Sequence, residues 1–184
     1  LADEGYWVAY VDMLQYLPAS SPIGIVDFLV AIALGVIDAL PAEDRPSLHG
    51  SLWEQLKRLS VGKVELGGEI GAGPAKVNLK AEIKANESFV QQLRAHLEPN
   101  LAQFTVEIHR FIAANLPADT EHSPVLIVDQ TEKISGTEAV HGSIRDVFLH
   151  HGERLRLAGT HVVYTLPPYL PILAPGCIAT FTAP

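Results

Sequence analysis

Apolar residues change period several times along this chain, and each change marks an element. Residues 124–129 read Pro-Val-Leu-Ile-Val-Asp, an aliphatic run ending in a carboxylate. A half-exposed strand alternates, so the unbroken run predicts a buried strand of a parallel sheet. Residues 6–12, Tyr-Trp-Val-Ala-Tyr-Val-Asp, are aromatic and β-branched, follow a glycine and predict a second strand, which also ends in an acid. Ser21 reads as an N-cap with Pro22 at the first helical position, opening a helix to about residue 40, where Pro41 stops it. Leu48, Leu52, Leu56 and Leu59 share one face of a second helix over residues 47–59.

Between residues 63 and 84 the period falls to two. Val64, Leu66, Val77, Leu79, Ala81 and Ile83 alternate with polar residues around a turn at Ala72-Gly73-Pro74, which predicts an antiparallel β-hairpin inserted over residues 62–85. Asn86 then caps a helical region in which Phe89, Leu93, Leu97, Leu101, Phe104, Ile108 and Phe111 recur at spacings of three and four. This stripe predicts the face that packs on the sheet, and Pro99 should kink or split the helix. A helix over residues 137–157, broken near Gly152, leads to a strand at residues 160–166. Strand, helix and strand over this distance predict a right-handed crossover between parallel strands. A last short strand is expected at residues 177–181.

With 184 residues, 48% of them hydrophobic and 18% charged, the chain has the length and composition of one globular domain. A lone cysteine, Cys177, rules out an internal disulfide and fits a reducing, cytoplasmic setting. The net charge of −8 argues against broad attraction to nucleic acid or an anionic membrane. Lys63, Lys76, Lys80 and Lys84 of the expected hairpin are interleaved with Glu65, Glu69 and Glu82, which weakens a nucleic-acid face there. Asp27 and Asp38 interrupt the greasy stretch from Ile23 to Leu40, so it reads as a buried helix rather than a membrane span. The opening, Leu1-Ala2-Asp3-Glu4-Gly5, lacks Met and reads as the end of a helix, predicting residues upstream.

Three strand ends, Asp12, Asp129 and Thr165, are expected on one edge of the parallel sheet, where open α/β sheets place ligands. Phosphoryl transfer calls for a metal-holding carboxylate, a group to orient water and a polar group near the γ-phosphate. With its segments VLIVDQTEK and HVVYTLPPYL, the chain resembles P-loop ATPases of the AAA and STAND type, in particular bacterial ATP-binding proteins. The resemblance covers most of the chain. It implies an α/β fold with a mostly parallel sheet of P-loop NTPase type and helices on both faces. It also implies a Walker B role for Asp129 as the Mg²⁺ ligand, and a sensor role for Thr165. Glu132 is the candidate to orient water, its alternative being a solvated turn residue. Arg145, Arg154 and Arg156 are candidates for phosphate contacts, the alternative being an exposed charged helix face.

Two departures from the family pattern matter. Gln130 stands where catalytic members carry a second acid directly after the Walker B aspartate. No Gly-x-x-x-x-Gly-Lys-Ser/Thr occurs in the chain, and the glycines between Gly67 and Gly73 do not supply one. The strand and loop that would bind ATP are therefore expected upstream of Leu1, and Mg²⁺ and ATP are cofactors conditional on them. A second reading is a non-catalytic α/β scaffold that binds a protein partner or a second copy through its hairpin or long helix. His96 and His109 lack a metal-type partner at i+4. Adjacent His150 and His151, with distant His141 and Cys177, make a poor zinc set.

Overall fold

The computed structural model describes residues 5–59, 79–117, 122–173 and 175–176. Three strands form one wholly parallel sheet in the order β1-β2-β3: β1 (Val8–Asp12), β2 (Val125–Asp129) and β3 (His161–Tyr164). Their register aligns Asp12 with Asp129 and Val128 with Tyr164, so all three strands end at the same edge.

The sheet has one covered face. Ala9, Val11, Leu126 and Val128 lie in the core, whereas Tyr10 and Val163 on the other face are 54% and 52% exposed and Ile127 is half-buried. Against the covered face lies α1 (Ile25–Ala39), every residue of which from Ile25 to Ile37 is buried. Its Phe28 meets Phe148 of α6 (Glu138–His150) edge-on, and both rings contact Tyr164 of β3. The expectations of helices on both faces and of a fully buried Pro124-to-Asp129 strand are thus not met among the described residues. The topology gives the reason. Both crossovers advance in one direction across the sheet, and right-handed connections then put their helices on the same side.

Other boundaries follow local chemistry. Helix α1 starts at Ile25, later than Ser21 and Pro22 suggested, because the Asp27 carboxylate reaches back to accept the Gly24 N–H at 2.7 Å. The second helix, α2, spans Arg45–Leu59. Residues 79–85 form a helix, α3 (Leu79–Ala85), rather than the second arm of the expected hairpin; the first arm lies outside the described residues. Alternating Leu79, Ala81 and Ile83 also fit a helix, since Leu79 and Ile83 lie four apart on one face and are the two buried. Lys80 and Lys84 therefore stand on a helix, and Lys80 binds Asp38 at 3.0 Å. Asn86 caps α4 (Glu87–Leu97) by accepting the Phe89 N–H at 3.1 Å. Pro99, in a 3-10 turn, separates α4 from α5 (Leu101–Asn115). Their apolar stripe packs on α1, which stands between them and the sheet. α6 ends at His150 and a 3-10 turn, Gly152–Leu155, completes the crossover. A short helix, α7 (Leu170–Leu173), follows β3, and the expected strand at residues 177–181 lies outside the described residues.

Gly35 sets the approach of α1 to β1. A Cβ there would meet both methyl groups of Val11, Cγ2 at 2.6 Å. Gly35→Ala is expected to lower unfolding stability by about 1–3 kcal/mol through overpacking, measured by urea denaturation. Combined with Val11→Ala it should lose less than the sum of the two single changes, because the added methyl fills the space the valine leaves. Strict additivity would show that the two residues do not press on each other.

Candidate functional site

The C-terminal edge of the sheet gathers Tyr10, Asp12, Asp129, Gln130, Glu132 and Thr165. Asp129 ends β2, and Gln130 after it takes a left-handed conformation (φ 68°, ψ 11°). That reversal turns the chain into the 3-10 turn Thr131–Lys133, which brings Glu132 round to the end of β3. There the Thr165 hydroxyl donates to Glu132 Oε2 at 2.7 Å. Buried Thr131 ties the turn down by donating to the Thr165 carbonyl, and the Thr165 N–H donates to the Val128 carbonyl at 3.0 Å. The link between Glu132 and Thr165 is therefore fixed by main chain on both sides.

Asp129 Oδ2 accepts a hydrogen bond from the Tyr10 hydroxyl. This bond, helped by the Gln130 N–H and the Lys133 charge, holds the Asp129 carboxyl below the usual carboxylate range. The same contact pushes the Tyr10 hydroxyl up, since its ionised form would face a carboxylate. Asp12 has a structural role: its Oδ1 accepts the Leu14 N–H at 3.0 Å and caps the 3-10 turn after β1.

The three arginines are not brought to this edge. Arg145 is exposed on α6. Arg154 and Arg156 lie in and just after the 3-10 turn that leads into the start of β3, at the other end of that strand. The Arg154 carbonyl bonds His109 Nε2 at 2.8 Å, and Arg156 pairs with Glu153 at 3.7 Å. His150 and His151 both approach Asp146, at 3.9 and 3.7 Å, and His141 lies against the Tyr169 ring. Among the described residues no three His, Cys, Asp or Glu side chains group as a metal site.

The site residues therefore offer one half-buried carboxylate, Asp129, a second acid bonded to a threonine and no phosphate-binding nest. Mg²⁺ is commonly held by one or two carboxylates together with substrate phosphates, so Asp129 suits a magnesium ion that arrives with a phosphate ligand. Sequence reasoning missed Tyr10 and Thr131. The alternation of residues 6–12 puts Tyr10 and Asp12 on one face, but only the register of β1 on β2 places the phenol beside Asp129. Among the described residues no helix is long and apolar enough to cross a membrane. Comparison with protein-family models, curated proteins and solved structures finds no match in any of the three.

Proposed function

We propose that this chain is the Walker B part of an ATP-binding switch domain, with the phosphate-binding strand and loop supplied by polypeptide beyond these 184 residues. The observation that carries the reading is the convergence at one sheet edge of Asp129 with the bonded pair Glu132 and Thr165. In this reading Asp129 holds Mg²⁺, which supplies charge neutralisation at the transferring phosphoryl group when bound. Glu132 orients the attacking water and Thr165 positions Glu132.

The sheet supports the same reading. A groove of ≈ 620 Å³ runs along β3, past Arg156, Gly159, His161 and Val163, beside a strand that has no partner on that side among the described residues. A parallel strand added there and joined forward to β1 would cross the sheet against the β1-β2-β3 direction. Right-handedness would then put its connecting helix on the face where Tyr10 and Val163 are exposed. The free edge and the open face are thus the two surfaces that one additional strand–helix unit would cover.

The test is Mg-ATP titration calorimetry on a protein joining this chain to its phosphate-binding loop. Asp129→Asn is expected to weaken Mg-ATP binding by about tenfold or more, since a carboxylate ligand becomes a neutral amide. Equal affinity of the two proteins sinks the metal role. The second reading, a protein-binding scaffold without catalysis, is favoured by the exposed Tyr10 and Val163, and would show partner binding with no response to ATP.

A further inference from the structure

We propose that the cavity between the β1-α1 loop, α1, α3 and α4 binds a small aliphatic primary amine, whose ammonium group is taken by Asp27. The cavity measures ≈ 370 Å³, at the small end of the roughly 300–1,000 Å³ that small-molecule sites occupy. It contains none of the sheet-edge residues, so the proposal stands apart from the ATP-switch reading. Buried Leu17, Ile83 and Val90 give it an apolar wall for an aliphatic body, while its exposed charges, Lys84 and Glu87, balance each other.

Asp27 sets the chemistry of the ligand. The hydrogen bonds it accepts from the Gly24 N–H and from Nε and Nη2 of Arg94 all go to Oδ2. Asp27 also lines the cavity, and its Oδ1 is buried with no hydrogen-bond partner among the described residues. A buried acceptor left unpaired is costly, so a donor entering the cavity is drawn to this oxygen. A hydroxyl would satisfy the lone pairs alone. An ammonium also answers the charge, which Arg94 does not fully offset, since burial still pushes the Asp27 carboxyl up. The Asp27 side chain is only 2% exposed, so the approach is narrow and suits the bare ammonium of a primary amine better than an N-alkylated one.

Titration calorimetry compares isopentylamine with isopentyl alcohol, which share one carbon skeleton. The amine is expected to bind with a Kd of about 1 mM, the scale for so few atoms, and the alcohol about tenfold or more weakly. Asp27→Asn keeps an oxygen for Arg94 and Gly24 but loses the charge, and should weaken amine binding by a similar factor. Methyl resonances of Leu17, Ile83 and Val90 in the unaltered chain should shift on adding the amine, which places it in the cavity even if the Asp27→Asn protein does not fold. L-Leucine adds a carboxylate to the same body: binding tighter than the amine's assigns the site to an amino acid, and weaker binding to a plain amine. Equal affinity for amine and alcohol, undiminished binding to a folded Asp27→Asn, or no amine-dependent shift of those methyl groups overturns the proposal.

Discussion

Arg94→Met is expected to destabilise the protein by about 3–5 kcal/mol, the range for removing one partner of a buried ion pair. Asp27 is 1% exposed at the start of α1. Its Oδ2 accepts from the Gly24 N–H at 2.7 Å and from Arg94 Nε at 2.8 Å, and Arg94 Nη2 forms a salt bridge with the same oxygen. Nη2 also donates to the Pro22 carbonyl at 2.8 Å, so one guanidinium joins α4 to the entry of α1. A methionine at position 94 leaves a buried carboxylate with no cation.

That loss should depend on pH in a defined direction. Burial pushes the Asp27 carboxyl up, against the opposing bonds from Arg94 and Gly24. Without Arg94 the upward shift grows, so the folded state holds the proton more tightly than the unfolded chain does. Stability of Arg94→Met should therefore rise as pH falls from above the raised folded value toward the ordinary 3.8. Urea denaturation at several pH values, for both proteins, measures the effect. A loss below about 1 kcal/mol at neutral pH, the range of an exposed pair, would show that the pair is not buried in solution. Asp27→Leu with Arg94→Met should recover part of the stability, since a neutral apolar pair has no charge to desolvate. The Gly24 N–H, left without its acceptor, limits that recovery.

Asp27 and Arg94 also show where reading the chain stops. Each is an ordinary charged residue in sequence, and their 67-residue separation is bridged only by packing α4 on α1. Features carried by a local pattern were legible: β1 and β2 ending in acids, the Asn86 cap, the break at Pro99 and the parallel β2-α6-β3 crossover. Asp129 and Thr165 were readable as strand-end residues for the same reason. Leu79 to Ile83 were misassigned because apolar residues two apart also satisfy a four-residue helical spacing, and no local signal separates the two over so short a segment. The open face was not legible either. An unbroken run such as Val-Leu-Ile-Val reports high hydrophobicity but does not say whether the second face is covered within the same segment of polypeptide. The bond between Glu132 and Thr165 depends on the left-handed Gln130, a residue type with no strong preference for that conformation.

Glu132→Gln is expected to slow ATP hydrolysis about 100-fold to 10,000-fold in a protein joining this chain to its phosphate-binding loop, the range for loss of a general base. Gln keeps the size of Glu and can still accept from the Thr165 hydroxyl through its carbonyl oxygen, so the turn should hold. On the proposed ATPase reading, what it loses is the carboxylate that would take up a proton from the attacking water. Mg-ATP affinity should therefore be unchanged, in contrast to Asp129→Asn, which acts on binding. Thr165→Val should give a smaller loss, because Glu132 keeps its charge but not the donor that fixes it. Hydrolysis and equilibrium binding measured on the three variants separate the roles. If Glu132→Gln hydrolyses ATP at the unaltered rate, the bonded pair at the end of β3 is structural. Mg-ATP binding without hydrolysis by the unaltered protein would instead make it an ATP-responsive scaffold, in keeping with the neutral Gln130 directly after Asp129.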